Sequence, residues 1–296
     1  MSTKFGTKGL HSKKNTIEEY VNLYISTAEA IRSVHPEARL LAMAIAGIHP
    51  ELADGFLAEM QKRDKLHLID QITYHPYNKN PDAVYDEVLR LRTVVNKYAP
   101  RITIRQGENG APSEFRKTKA LNSYNWSETS QSKWALRRLL GDLGRDIESS
   151  YFSIVDLNYP DEINRKGTLE SDNNRKVVKA KPVYYALQHL AAIFDESLGR
   201  IESYPYSSDN TQSLSLFAFE NKVTGKQIIA LWLDGEIPSD SEEKQPISLT
   251  IPQGNFQNPV WWICAPVKSL KFPENISGSR VRSFPFKKYP FTIHRG

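Results

Sequence analysis

The alternation of helical and extended segments constrains the fold of this chain more than any other feature. Apolar spacing predicts a helix followed by four strand–helix pairs between residues 16 and 194. The predicted strands are 39–46, 68–74, 102–106 and 151–157, and the predicted helices are 16–33, 50–63, 81–98, 127–143 and 182–194. Strands separated by helices of this length favour a parallel sheet, and therefore an α/β fold.

The pattern changes after about residue 199. Short strands separated by turn residues follow, at 214–220, 227–233, 246–251, 260–264 and 289–294. This pattern is typical of an antiparallel β domain, and we interpret it as a β-sandwich. We therefore predict two domains, with the first at 1–199 and the second at 200–296.

Composition excludes several classes of function. The chain has 296 residues, of which 40% are hydrophobic and 25% charged, with a net charge of +5. The basic residues are spread along the sequence among acids, so we expect no nucleic-acid partner. No apolar run reaches the roughly 18 residues of a membrane-spanning helix, so we expect no membrane partner either.

The sequence gives little information on compartment, metals or cofactors. A single cysteine, Cys264, rules out an intrachain disulfide and a cysteine-based zinc cluster. The first residues lack the apolar core of a signal peptide, and the compartment stays open. The histidines do not follow a metal-binding spacing, and no glycine-rich nucleotide motif occurs. We expect neither a metal nor a cofactor.

Polar side chains follow three of the predicted strands. His75 and Tyr77 come after the second strand, and Glu108 and Asn109 after the third. Asp156 lies at the end of the fourth. In a parallel α/β sheet these strand ends open into one crevice, where a carboxylate can act as a nucleophile beside a neighbouring donor.

Each of these residues also has an ordinary structural interpretation when taken singly. A lone glutamate after a strand is more often a surface residue or a helix cap, and a His-Pro-Tyr segment is more often loop packing. On adjacent strands of one sheet, the combination favours a functional site. The aromatic residues Tyr124 and Trp126 lie on the loop after Glu108.

The chain resembles the C-terminal half of a clan A glycoside hydrolase, closest to the family 39 and family 5 types. Ile72-Thr-Tyr-His75-Pro-Tyr77 resembles the sixth strand of the clan, and Ile104-Arg-Gln-Gly-Glu108-Asn-Gly-Ala-Pro-Ser113 resembles the seventh. The segments from Ser127 to Arg138 and from Lys181 to His189 resemble the last two helices. The resemblance implies a partial (β/α)8 TIM barrel, about strands 5–8, followed by the β-sandwich.

The same resemblance implies a function. Glu108 would be the nucleophile of retaining O-glycosidic bond hydrolysis on a carbohydrate substrate. The residues that would bind that substrate are His75, Tyr77, Asn109, Tyr124, Trp126 and Asp156. By the resemblance, Tyr124 and Trp126 could stack on a sugar ring, and simple loop anchoring of these two residues is equally open.

The chain departs from the family pattern in two places. The family's acid/base glutamate follows an asparagine before the fourth helix, and no Asn-Glu pair precedes residue 16. The predicted strand at 151–157 also lacks the family's tryptophan. We therefore expect the remaining strands and the acid/base to lie in a missing N-terminal half or in a second chain, and little turnover from this chain alone. The alternatives are a catalytically inactive carbohydrate-binding protein and a truncated structural remnant.

Overall fold

The protein is a mixed α/β structure that forms two compact units. The structure is a computed structural model, and it describes residues 16–160, 162–209, 212–241, 247–252 and 292–295. The first unit comprises the described parts of 1–77, 83–109 and 147–150, and the second those of 78–82, 110–146 and 151–296.

The elements alternate early in the chain and become short strands later. In chain order they are α1 (Ile17–Val34), β1 (Leu41–Ala46), α2 (Pro50–Lys62), β2 (Gln71–His75), α3 (Tyr85–Tyr98), β3 (Thr103–Gln106), α4 (Glu128–Leu143), β4 (Glu148–Ser149), β5 (Leu157–Asn158), β6 (Ile163–Asn164), β7 (Leu169–Ser171), β8 (Val177–Ala180), α5 (Pro182–Ile193), β9 (Leu198–Ile201), β10 (Ser207–Ser208), β11 (Leu214–Asn221), β12 (Gln227–Leu233), β13 (Ser248–Ile251) and β14 (Thr292–Arg295).

The first unit is built on a four-stranded parallel sheet in the order β1-β2-β3-β4. Helices α1, α2 and α3 pack their apolar faces against it in one core, which includes Val21, Phe56 and Val95 from the helices. Ile72 of β2 and Ile104 of β3 are opposite each other in the register and belong to the same core. The predicted parallel sheet is therefore present, while its membership in a (β/α)8 barrel stays a prediction.

Two helices, α1 and α4, begin at side-chain caps. The Thr16 hydroxyl accepts a hydrogen bond from the Glu19 amide, and the Glu19 carboxylate accepts one from the Thr16 amide. Ser127 and Ser130 make the same reciprocal pair at the start of α4. These side chains satisfy amide groups that have no partner inside the helix, which is why α1 and α4 begin where the sequence predicts.

Helix α3 begins later than predicted. The sequence pattern predicts a helix from residue 81, whereas the helix starts at Tyr85. The Asn78 side chain accepts a hydrogen bond from the Asn80 amide, and the Asn80 side chain accepts one from the Asp82 amide. Asparagine side chains that bond two residues ahead stabilise turns in place of a helix.

The strand predicted at 151–157 is wrong. The fourth strand of the parallel sheet is Glu148–Ser149, and β5 begins only at Leu157. Between them the backbone turns to another partner: the Leu169 amide donates to the Ile154 carbonyl, and the Asp156 amide donates to the Leu169 carbonyl. The backbone of this segment therefore bonds within the second unit and does not join the parallel sheet.

The second unit combines helices α4 and α5 with short strands. β5 pairs with β6 and β7 with β8 in antiparallel ladders. A three-stranded antiparallel sheet has the order β12-β11-β9. Its Phe219 and Ala230 share a buried apolar cluster with Leu136 and Leu140 of α4 and with Leu190 of α5.

The C-terminal strands agree with the sequence pattern in part. The predicted hairpin is present as β11 and β12. A second sheet has the order β10-β13-β14, and β13 pairs with β14 in parallel, so the expectation of a wholly antiparallel domain is wrong. The strand predicted at 260–264 lies outside the described residues. The β-sandwich and the domain division at 199/200 stay predictions.

Within the described residues, no helix has both the length and the apolar character needed to span a bilayer.

Candidate functional site at the ends of strands β2 and β3

Two neighbouring parallel strands end side by side in the first unit. Tyr74 of β2 is opposite Gln106 of β3, and the Gly107 amide donates a 3.0 Å hydrogen bond to the Tyr74 carbonyl. The backbone of the two strands therefore stays paired one residue beyond β3. This pairing places Glu108 beside His75, the last residue of β2.

The carboxylate of Glu108 has two polar neighbours. The Tyr77 hydroxyl donates to its Oε1 at 2.8 Å, and Nδ1 of His75 lies 3.6 Å from its Oε2. The Glu108 side chain is 35% exposed. The site thus presents an oriented carboxylate, with one oxygen held by a phenol, that a solute can reach.

His75 is neutral at neutral pH. Burial lowers its pKa below the ordinary value, and the nearby Glu108 carboxylate opposes that shift without overcoming it. A neutral imidazole offers one donor and one acceptor nitrogen. The contact between His75 and Glu108 is therefore a polar contact between a neutral ring and a carboxylate rather than an ion pair.

Two amide side chains flank Glu108 in sequence, and both are fully buried. Oε1 of Gln106 accepts from the Ser149 hydroxyl at 2.7 Å and from the Ser150 amide at 2.8 Å, which ties β4 to β3. Neither polar atom of the Asn109 side chain has a hydrogen-bond partner among the described residues. The predicted role of Asn109 in substrate binding stays a prediction.

Tyr124 and Trp126 lie together in the second unit, with ring centroids 4.8 Å apart. Trp126 is 4% exposed, and its indole N–H donates to the Leu121 carbonyl. The Tyr124 hydroxyl donates to the Pro238 carbonyl at 2.9 Å. Both rings thus anchor their own loop, and their stacking on a sugar stays a prediction.

Asp156 lies in a buried ionic cluster of the second unit. Its Oδ1 accepts from Lys181 Nζ at 2.7 Å and from the Gly167 amide at 2.9 Å, and its Oδ2 accepts from Arg165 at 3.1 Å. Burial lowers the pKa of Lys181, while Asp156 acts to raise it. The carboxylate of Asp156 is fully buried, and its predicted contact with substrate stays a prediction.

Sequence reasoning missed the partner of Asp156. Lys181 is separated from Asp156 by a loop and two short hairpins, and no spacing rule connects them. The only available signal was Pro182, which marks Lys181 as the residue before the first turn of α5.

A shallow apolar cavity of about 610 Å³ lies along α1. It is lined by Ser26, Thr27, Ala30, Ile31, Val34 and His35. None of the predicted site residues belongs to this lining. The predicted site residues and this cavity therefore do not coincide.

In the parts of the chain that the structure describes, no three side chains of histidine, cysteine, aspartate or glutamate are grouped so as to hold a metal ion. No residue of this site is therefore assigned to a metal.

Comparison with known proteins gives structural similarities only. No family model and no curated protein matches the sequence. A xyloglucanase of glycoside hydrolase family 44 from Paenibacillus polymyxa is 17% identical, with a TM-score of 0.35, over 47% of this chain and 37% of that one. A β-1,3-glucanosyltransferase mutant from Rhizomucor miehei, in complex with laminaritriose, is 17% identical, with a TM-score of 0.39, over 56% of this chain and 57% of that one.

A third similar structure is the catalytic domain of the GH30 xylanase C from Talaromyces cellulolyticus. It is 13% identical, with a TM-score of 0.41, over 73% of this chain and 43% of that one. The chain thus spans less than two thirds of the length of each of these three structures.

Proposed function

We propose that this chain carries the nucleophile side of a retaining glycosidase site, with Glu108 as the nucleophile. One observation carries the proposal: Glu108 stands at the end of a parallel strand with Oε1 held by the Tyr77 hydroxyl at 2.8 Å. A hydrogen bond donated to a carboxylate favours its charged form and fixes its orientation. A nucleophile that attacks an anomeric carbon needs both properties.

His75 fits a supporting role in the same site. Because its imidazole is neutral near neutral pH, it leaves the negative charge of Glu108 uncompensated. A neutral ring beside the carboxylate can also donate to, or accept from, a sugar hydroxyl. We propose His75, Tyr77 and Asn109 as substrate-binding residues, and we keep Tyr124, Trp126 and Asp156 as proposals that depend on the family resemblance.

Retaining hydrolysis needs a second carboxyl group about 5–5.5 Å from the nucleophile, which protonates the leaving group. We assign no residue of this chain to that role. Attack of the nucleophile on the anomeric carbon can be observed without this second carboxyl group, since a very good leaving group departs without being protonated. The proposal therefore predicts attack by Glu108 on activated glycosides and little turnover of ordinary ones.

The test is covalent trapping with 2,4-dinitrophenyl 2-deoxy-2-fluoroglycosides of several sugars. In each reaction a Glu108 oxygen would form a bond to the anomeric carbon while dinitrophenolate leaves. Because the fluorine slows hydrolysis of the ester, intact mass spectrometry would detect one added sugar, and peptide fragmentation would place it on Glu108. The Glu108→Gln variant should not be labelled, whereas Glu37→Gln, which changes an exposed carboxylate elsewhere, should label like the unmodified chain.

Three results would contradict the proposal. Labelling that persists in Glu108→Gln would assign the nucleophile to another residue. Absence of labelling with every sugar tested, together with oligosaccharide binding in calorimetry, would favour the catalytically inactive carbohydrate-binding protein. A chain that neither labels nor binds would favour the structural remnant.

A further inference from the structure

Gly107 separates the last residue of β3 from Glu108 and lies against the side chains of β2. A Cβ atom placed on Gly107 would stand 2.1 Å from the Thr73 Oγ1, 3.4 Å from the Thr73 Cβ and 3.3 Å from the His75 Nε2. The first distance is far inside van der Waals contact. Gly107 does not lie in the left-handed region, so the requirement for glycine is one of space and not of backbone conformation.

Thr73 is the residue that fills this space. It is 5% exposed and precedes His75 by two positions on β2, so the two side chains point to the same face of the sheet. Its hydroxyl has no hydrogen-bond partner among the described residues. A buried hydroxyl without a partner is costly, so the interaction that the structure shows for this side chain is its close approach to Gly107.

We infer that Gly107 and Thr73 form a positioning pair, in which the close approach of the Gly107 backbone to the Thr73 side chain sets the path on which Glu108 reaches Tyr77 and His75. The Gly107 amide is already fixed by its hydrogen bond to the Tyr74 carbonyl. A Cβ at residue 107 would push this backbone away from β2. The carboxylate of Glu108, one residue on, would then move away from both of its neighbours.

Gly107 and Thr73 are positioning residues and not catalytic ones. Their geometry stands without the proposed function, and only the consequence for glycoside attack rests on that function. Displacing a reacting group by about 1 Å can reduce a rate by roughly a hundredfold. A modest shift of the backbone at residue 107 is therefore sufficient to disable Glu108.

The experiment is a double-mutant cycle of Gly107→Ala and Thr73→Ala. Replacing Thr73 by alanine removes Oγ1, so the nearest neighbours of a new Cβ at residue 107 become the His75 Nε2 at 3.3 Å and the Thr73 Cβ at 3.4 Å. A shift of a few tenths of an ångström accommodates both contacts. The primary readout is the coupling between Glu108 and His75, measured as the change in the pKa of His75 when Glu108→Gln is added to each background. NMR titration of the His75 ring follows this pKa.

In the unmodified chain, Glu108→Gln should lower the pKa of His75, because the carboxylate acts to raise it. The inference predicts that this change is largely lost in the Gly107→Ala background and returns in the Gly107→Ala, Thr73→Ala background. The rate of fluoroglycoside labelling should fall by roughly a factor of ten to one hundred in Gly107→Ala and recover in the double variant. The Thr73→Val variant, which keeps the shape and removes the hydroxyl, should retain the coupling.

Retention of the full coupling in Gly107→Ala, or no recovery in the double variant, would overturn the inference. If Gly107→Ala does not fold, recovery of a folded chain by added Thr73→Ala becomes the expected result, and its absence overturns the inference in the same way. Coupling that behaves as predicted in a chain that never labels would contradict the proposed function alone. Labelling with unchanged coupling would contradict the positioning pair alone.

Discussion

Burial of His75 links the stability of the protein to pH. Burial lowers the pKa of His75 in the folded chain, whereas the unfolded chain keeps a value of about 6.5. The unfolded state therefore binds this proton first as the pH falls, and stability decreases from about pH 6.5 down to the folded pKa. The contribution of His75 to the free energy of unfolding is therefore fully present at pH values above the pKa that His75 has in the unfolded chain.

We predict that a non-titrating replacement, His75→Gln, reduces the difference in the free energy of unfolding between about pH 8 and about pH 5. Urea denaturation at both pH values measures the free energy of unfolding and so gives this difference. His35→Gln, at an exposed position just after α1, serves as the control and should leave that difference close to that of the unmodified chain. An unchanged or larger difference in His75→Gln would contradict the burial argument.

Part of the candidate site could be predicted residue by residue. His75, Tyr77 and Glu108 follow strands that the apolar pattern located, and parallel strands bring their ends together. The contact between Gly107 and Thr73 could not be predicted, because it depends on a strand register that no local pattern specifies. The ion pair between Asp156 and Lys181 could not be predicted either, because two hairpins separate these residues in the sequence and no local pattern connects them.

At the scale of elements, Lys181 ties the start of α5 to three other segments of the second unit. Its Nζ donates to Asp156 at 2.7 Å, to the Ser113 hydroxyl at 3.0 Å and to the Arg165 carbonyl at 3.2 Å. The side chain is 1% exposed. Breaking a buried ion pair by removing one partner leaves a buried charge uncompensated, which typically costs about 3–5 kcal/mol.

We predict that Lys181→Met lowers the free energy of unfolding by about 3 kcal/mol, the lower end of that range, because Arg165 still pairs with Asp156. The matched control is Lys179→Met, two residues before Lys181, which removes the ion pairs of an exposed lysine with Glu128 and Glu170. Exposed pairs contribute about 0–1 kcal/mol, so this variant should differ little from the unmodified chain. Equal effects of the two variants in urea denaturation would refute the structural role of Lys181.

The element boundaries show where local sequence is sufficient and where it is not. Thr16 and Ser127 cap helices through side chains that lie within three residues of their partners, so α1 and α4 begin as predicted. The start of α3 was missed because two asparagine turns compete with the helix. The strand predicted at 151–157 is wrong because the backbone of this segment is hydrogen-bonded to residues 166–169, and tertiary contacts determine that pairing.

At the scale of the whole molecule, an apolar cluster spans the predicted boundary at 199/200. Leu136 and Leu140 of α4 and Leu190 of α5 share it with Phe219 of β11 and Ala230 of β12. The rings of Phe194 and Phe219 meet edge to face, with centroids 5.0 Å apart. Burying one large apolar side chain contributes about 1.5–3 kcal/mol, so this cluster is a substantial part of the stability of a domain.

We therefore predict that α4 and α5 do not pack stably in a fragment ending at residue 199, although the first unit keeps its own core there. Removing β11 and β12 would expose the apolar faces of α4 and α5, and an exposed patch of that kind promotes association. Dye binding and light scattering of the 1–199 fragment measure the exposed surface and the association. The Phe219→Ala variant of the whole chain, expected to lose about 3–5 kcal/mol and remain folded, removes one ring of the cluster without removing β11 and β12. A monomeric fragment that binds no dye would instead place the domain boundary at 199/200.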